Sequence, residues 1–248
     1  MIRGVPMSSP PQLAGQTVIL IGGSAGIGLE TARRARTEGA EVILTGRDPD
    51  RLDAAASEVG ASRTAAFDAN DADAVADFFQ SIPEPIDHVL ITAGRPSYGA
   101  LLDMDIGAVR EALSGHVVVG LNVARAATPR MRPRGTLLFV GGTGGRRIDH
   151  RLGIISAATA TLPPFTAALA LEIAPIRANL IAAGFVDTPL SASLLGDQLE
   201  SRRDELRSTL PIGRVVTPED VAALAVHLMA NTAITGATYD IDGGQQFV

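Results

Sequence analysis

From Ile21 to Gly28 the chain reads Ile-Gly-Gly-Ser-Ala-Gly-Ile-Gly, a spacing suited to holding a phosphate ester. A mostly β-branched run, Thr17-Val18-Ile19-Leu20, precedes it, and a helix-patterned stretch, Leu29 to Gly39, follows. Between a strand and a helix, Gly22 gives the tight turn and Gly26 lets backbone approach a pyrophosphate. Gly28 lets helix pack on strand. Ser24, Ala25 and Ile27 complete the loop, and the helix N-terminus behind it faces the anion. Dinucleotide folds choose their cofactor about 20 residues further on, at the end of the second strand. There, Val42-Ile43-Leu44-Thr45-Gly46-Arg47 holds no carboxylate for a ribose 2′-hydroxyl. Gly46 leaves room, and Arg47 offers a fork of donors suited to a 2′-phosphate. The expected cofactor is NADP(H), with Arg47 as a solvated surface charge the competing reading. Asp68, followed by Ala69 at the end of the third strand, is placed to reach an adenine; loop capping is the alternative for Asp68.

Strand-like and helix-like segments that position these groups alternate along the chain. The strand-like runs are Thr17–Leu20, Val42–Leu44, Thr64–Phe67, His88–Ile91, Thr136–Val140, Ala178–Ala182 and Tyr239–Ile241. Most are continuously apolar, as parallel strands buried on both faces should be. Helical patterns at Thr31–Gly39, Ala72–Gln80, Val109–Thr128 and Val221–Met229 supply right-handed crossovers. Asp48 before Pro49, and Thr217 before Pro218, read as N-caps followed by a first-turn proline. No repeat or composition break divides the chain. The expectation is one α/β domain, a doubly wound parallel sheet with helices on both faces, behind a loose tail at residues 1–11.

Composition removes several classes of chemistry. There is no cysteine among the 248 residues, so disulfides, thiolate catalysis and thiolate metal sites are excluded. His88, His116, His150 and His227 are scattered without metal-ligand spacing, so no metal is expected. A net charge of −6 argues against nucleic acid as the main partner. No apolar run is read as approaching the roughly 18 residues of a membrane span, and no secretory leader is read at residues 1–11. The expectation is a cytoplasmic protein with a small-molecule substrate.

Beyond the glycine turn, an ordered set of motifs covers the chain from about residue 14 to its end. It comprises Gly22-x3-Gly26-x-Gly28, the Ala93-Gly94 pair after the fourth strand, and Asn179-Leu180-Ile181-Ala182-Ala183-Gly184-Phe185-Val186-Asp187-Thr188. Thr217-Pro218-Glu219-Asp220-Val221 and Asp240-Ile241-Asp242-Gly243-Gly244 follow. In these the chain resembles the short-chain dehydrogenase/reductase family. The resemblance implies a Rossmann-type sheet of seven parallel strands, and hydride transfer between a nicotinamide and a carbonyl or alcohol. It also implies a homo-oligomer, tetramer or dimer, commonly built through two long central helices. Ala93, Gly94 and Gly184 fall in its cofactor motifs, and Val186 and Thr188 would hold the nicotinamide carboxamide.

The same resemblance implies an Asn, a Ser and a Tyr-x-x-x-Lys pair to handle the proton. Counting from Pro129 and Met131 places the Asn position at His116, and the end of the fifth strand places the Ser position at Gly142. Counting back from Glu172, and forward from Gly142, places the tyrosine at Ile155 and the lysine at Thr159. All four have departed, and Tyr98 and Tyr239 lie far from the slot in sequence. Three side chains are candidate replacements: His116 as proton donor or water anchor, Thr143 as a hydroxyl, and His150 beside Asp149. Each has a structural reading: a half-buried histidine, a loop cap and a solvated side chain. The arginines Arg146, Arg147 and Arg151 suit an anionic substrate or are simply solvated. Pro163-Pro164 predicts a kink, a bulge or a late start in the helix that should carry the pair.

A missing general acid costs roughly 10²–10⁴ in rate, so ordinary ketone reduction by the family route is not expected. Three functions follow. The first is an atypical NADP(H)-dependent oxidoreductase acting on an iminium, an enone or an activated carbonyl. The second is a non-catalytic NADP(H)-binding sensor or assembly protein. The third is a non-redox cyclase, isomerase or elimination catalyst. The stretch from Pro189 to Arg214, with Leu190, Leu194, Leu195 and Leu199, is expected to form a mobile lid over an apolar ligand.

Overall fold

Alternating side chains of short, buried strands sort to two faces and fix the layering. Ile19 and Ile21 join one core with Val89, Leu137 and Leu180, while Val18 and Leu20 join the other with Leu138 and Ile181. The computed structural model describes residues 12–248 apart from Glu84, Arg95, Arg147 and Asp149. The tail read at residues 1–11 therefore lies outside the described residues.

The elements run β1 (Thr17–Ile21), α1 (Gly26–Thr37), β2 (Glu41–Gly46), α2 (Pro49–Val59), β3 (Arg63–Ala66), α3 (Ala72–Ser81), β4 (Ile86–Ile91) and α4 (Ile106–Ala127). They continue with β5 (Met131–Gly142), α5 (Gly153–Ala160), α6 (Leu162–Glu172), β6 (Arg177–Ala183), α7 (Pro189–Leu195), α8 (Leu199–Thr209), α9 (Pro218–Ala230) and β7 (Thr238–Ile241). The seven strands form one parallel sheet in the order β3-β2-β1-β4-β5-β6-β7. Strand order reverses between β1 and β4, and in such sheets a ligand crevice opens there, beyond the carboxyl ends of the strands. The expected fold class is observed.

Local chemistry accounts for several boundaries. Asp48 Oδ1 accepts the Arg51 N–H at 3.1 Å, capping α2 ahead of Pro49. Thr217 and Asp220 form a reciprocal capping box at the start of α9, with Pro218 in its first turn. Helix α1 starts at Gly26, earlier than its apolar pattern shows, because the glycine turn itself supplies the first turn. Strand β5 starts at Met131, five residues before the apolar run. Ile86 pairs with Met131 but His88 with Thr136, so a bulge at Arg132–Gly135 faces the single residue Asp87.

The long central helix breaks where the prolines predict. Pro163 and Pro164 have no N–H for the carbonyls one turn back, and the helix divides at Thr161 into α5 and α6. One expectation needs correction. Gly153–Glu172 spans 20 residues at a mean hydropathy of 1.5, so by length and composition it does reach a membrane span. The stretch instead buries Ile154, Ala158, Leu162 and Leu169 within the fold.

Candidate functional site

Three glycines shape the turn after β1, Gly22 and Gly28 because a neighbour leaves no room and Gly26 because of its backbone. A Cβ on Gly22 (φ +98°) would stand 2.6 Å from Thr92 Oγ1, and one on Gly28 would stand 2.1 Å from the Gly22 carbonyl. Gly26 (φ +52°) faces Thr188, whose Cβ would lie 3.4 Å from an added methyl. Glycine alone fits the crowding at Gly22 and Gly28, and it favours the positive φ of Gly22 and Gly26. The turn is tied to the sheet by Gly22 and Gly23 N–H groups donating to the Thr45 carbonyl at 3.2 and 2.8 Å. Ala25, the extended residue before α1, brings no side-chain cap. Ile27 O accepts the Thr31 hydroxyl at 2.8 Å. This leaves an uncapped helix start beside a flat glycine surface, a geometry that accepts a phosphate.

At the end of β2, a Cβ on Gly46 would meet Ser24 Oγ at 3.1 Å, so the space there is close to fully used by the turn. Arg47 is exposed, with its charge acting on Asp68 across the β2–β3 ends. Asp68 takes the loop-capping geometry: its Oδ1 accepts the N–H and side-chain amide of Asn70 at 2.9 and 2.8 Å. These bonds, more than Arg47, hold its carboxyl below the usual range. Ala69 is buried behind it.

On the other side of the crevice, Ala93 N–H donates to the Ile21 carbonyl at 3.1 Å. Gly94 (φ +148°) faces the His116 ring, with Nε2 3.5 Å from a Cβ built on it. His116 of α4 is half-buried, and burial lowers its pKa, so it stands in the site as neutral imidazole. Gly142 ends β5 against Thr159 of α5, whose Cγ2 would be 3.3 Å from an added Cβ. The two positions counted from different anchors are therefore neighbours in space. Thr159 is buried, and its hydroxyl donates to the Ile155 carbonyl at 2.8 Å, so it is occupied by its own helix. Thr143 is buried at the start of the short turn after β5. A cavity of about 160 Å³ lies beside them, lined by Gly142, Thr143, Arg146, Thr159 and Pro163.

The structure does not bring every candidate to this point. His150 is exposed in the loop before α5 and already has an interaction partner. Arg146 pairs with Asp240, whereas Arg147 and Asp149 lie outside the described residues.

At the end of β6, Gly184 packs against the C-terminal turn, where a Cβ would stand 2.6 Å from Asp242 Cβ. Val186 bridges to Val216, and its carbonyl accepts the Ser191 hydroxyl at 2.6 Å. Thr188 caps α7, with Oγ1 accepting the Ser191 N–H at 3.2 Å. The segment after it folds as α7 and α8. Arg203 of α8 donates to Asp187 Oδ1 at 2.6 Å, fastening that helix to the residue between Val186 and Thr188. No local pattern announces this pair, since its partners stand 16 residues apart. A second unannounced tie is the Gly99 N–H donating to the Arg151 carbonyl at 3.0 Å. It carries the loop bearing Tyr98 to the foot of α5. Tyr98 is half exposed, and its partial burial raises the phenol pKa, so it stays neutral.

Known proteins share this fold. Residues 22–246 match the family model described as Enoyl-(Acyl carrier protein) reductase. A short-chain dehydrogenase/reductase of Stachybotrys chlorohalonatus is 29% identical over 253 residues, covering 94% of this chain and 98% of that protein. The NADP-dependent (R)-specific alcohol dehydrogenase of Lentilactobacillus kefiri is 28% identical over 249 residues, covering 94% and 97%. Among solved structures, BdcA in complex with NADPH superimposes with a TM-score of 0.83 at 28% identity, covering 94% of this chain and 95% of that one.

Proposed function

The chain belongs to the short-chain dehydrogenase/reductase family, and from that premise we propose that it is an atypical NADP(H)-dependent oxidoreductase. When bound, the reduced cofactor supplies a hydride. The residues that would hold it are Gly22, Ser24, Ala25, Gly26, Ile27 and Gly28 at the pyrophosphate, Arg47 at the 2′-phosphate, and Asp68 with Ala69 toward the adenine. Ala93, Gly94, Gly184, Val186 and Thr188 would surround the nicotinamide half. The glycine surfaces fit such a group, because a side chain at Gly22 would collide with Thr92 after β4 and one at Gly28 with the turn itself. NADP-dependent and NADPH-bound relatives support the choice of phosphate form.

The observation that carries the word atypical is the contact of Gly142 with Thr159, beside the apolar Ile155. Those positions correspond to the family's serine, lysine and tyrosine, and none offers a free acid. Thr159 donates to its own helix, and His116 is held neutral by burial. A substrate reduced here needs little proton delivery as its carbon accepts hydride. An iminium meets that requirement, since its nitrogen becomes a neutral amine with no proton added. A conjugated enone meets it in part, because the developing charge spreads over several atoms. The helices α7 and α8 serve as the lid, with Leu190 exposed on its surface. Exposed Leu113 and Val118 on α4 and Leu171 on α6 support a homo-oligomer joined through those helices.

The test is turnover of NADPH against a panel of iminium, enone and ketone compounds, with nicotinamide absorbance as readout. Oxidation with the first two classes is expected, and silence across the whole panel rejects the reading. The neutral His116 favours a second reading, a cofactor-binding protein without turnover. In that case NADPH binds and no member of the panel is reduced.

A further inference from the structure

At its carboxyl end the backbone of β6 outruns the strand beside it. Ala183 pairs with Ile241 of β7, and the Gly184 N–H still reaches the Ile241 carbonyl at 3.2 Å. Strand β7 ends there, so Phe185 meets no strand carbonyl. Its N–H donates instead to Gln245 Oε1 at 2.7 Å. A side-chain amide 60 residues away in the chain takes the place of the missing ladder partner.

Both sides of this contact are shaped for it. A Cβ on Gly184 would stand 2.6 Å from Gln245 Oε1, so glycine at that position leaves the amide its place. Gln245 itself is presented by a tight turn after β7. Asp242 is buried, and its carboxylate oxygens accept the Gly244 and Gln246 N–H groups at 2.8 and 3.0 Å. The Gln245 N–H donates to the Asp242 carbonyl at 3.1 Å. Gly243 (φ +66°) and Gly244 (φ +87°) press on the α8–α9 loop, where added Cβ atoms would stand 2.8 Å from Ile212 Cδ1 and 2.6 Å from Pro211 Cγ. Beyond Phe185 the chain is next held at Val216, which Val186 bridges and whose carbonyl accepts the Asp187 N–H at 3.0 Å. Gln245 and Val216 together fix the course of the chain into Val186 and Thr188.

We propose that Gln245 is a positioning residue for the nicotinamide half of the cofactor site. Its amide sets the direction in which the chain leaves β6, and so where Val186 and Thr188 stand. It acts through the Phe185 backbone rather than by contact with the cofactor. Arg47 and Asp68, which would take the adenosine half, share none of these bonds. The role rests on the NADP(H) reading above and adds to it a residue that no sequence motif of the site contains.

The test compares two ligands of the full chain: NADPH, followed by fluorescence titration, and 2′,5′-ADP, the adenosine half alone, followed by calorimetry. Gln245→Met keeps the reach of the side chain and removes the acceptor, whereas Gln245→Glu keeps an oxygen that can accept the same N–H. Gln245→Met is expected to bind NADPH about tenfold more weakly and 2′,5′-ADP within about twofold of wild type, with Gln245→Glu recovering most of the NADPH affinity. Wild type and Gln245→Met binding NADPH equally well overturns the proposal. So does an equal loss on both ligands, since Gln245 would then merely support the fold. Gln245→Glu binding NADPH no better than Gln245→Met overturns it too, because the acceptor would not matter. A wild type that binds neither ligand rejects the cofactor reading itself, and this role with it.

Discussion

Acid should destabilise this fold mainly through His88, and the size of the effect follows from its surroundings. Burial pushes the His88 pKa down to about 3 from its ordinary 6.5, with the Arg177 guanidinium adding to the effect. The folded protein holds His88 neutral, while the unfolded chain takes up a proton below pH 6.5. His88 therefore costs nothing above that value, and stability falls as pH drops toward about 3. At about 1.4 kcal/mol per unit, the loss is about 2 kcal/mol by about pH 5, and about 5 kcal/mol over the whole interval. Burial lowers the His116 pKa as well, which adds loss of the same sign. Asp68 and Asp220 have lowered values and lose their contributions only below the ordinary carboxylate range. Urea unfolding of wild type and His88→Phe at about pH 7.5, 6 and 5 isolates the term, since all other groups cancel in the difference. The wild type should lose about 2 kcal/mol more than the variant between the extremes. A difference that stays flat across that range refutes the reasoning and places a proton, or a charged partner, on the buried ring.

Other substitutions probe the site. Arg47→Asp should weaken NADPH binding by about 10- to 100-fold with little effect on NADH, measured by fluorescence titration. Gly28→Ala forces a methyl to within 2.1 Å of the Gly22 carbonyl; it should cost about 3 kcal/mol in urea unfolding and abolish nucleotide binding. Arg203→Ala unfastens α8 from Asp187 and should speed cofactor release several-fold in stopped-flow experiments, leaving the melting temperature nearly unchanged. Tyr98→Phe should leave the slow turnover with a ketone within about threefold, where loss of a true general acid costs roughly 10²–10⁴.

The strands that matter most to the site were readable because both their faces are buried. β1 and β2 carry unbroken apolar runs, β4 and β6 carry mostly apolar ones around His88 and Asn179, and the glycine turn between β1 and α1 is local in sequence. The break between α5 and α6 was equally visible in Pro163-Pro164, because a missing N–H is a property of the residue itself. The start of β5 was not visible. Pro133 and a left-handed Arg134 look like a turn, and only pairing with β4 makes them a bulged strand. Neither the Arg203–Asp187 tie nor the Gly99–Arg151 bond has a sequence signal, since each needs the chain to fold back on itself. Asp68 had two readings, and the bonds from Asn70, two residues away, show that its Oδ1 caps the loop. His150 shows the limit of reading a loop: adjacency in sequence to a candidate pocket did not bring its side chain into it.

The most direct measurement pairs a cyclic iminium with the ketone of the same ring size. Both are offered with 4-deuterated NADPH, and label in the product is counted by mass spectrometry. The account predicts deuterium on the amine carbon, and ketone reduction slower by about 10² or more. Deuterated alcohol formed as fast as deuterated amine would contradict it, because a working proton donor would then have to exist in the pocket.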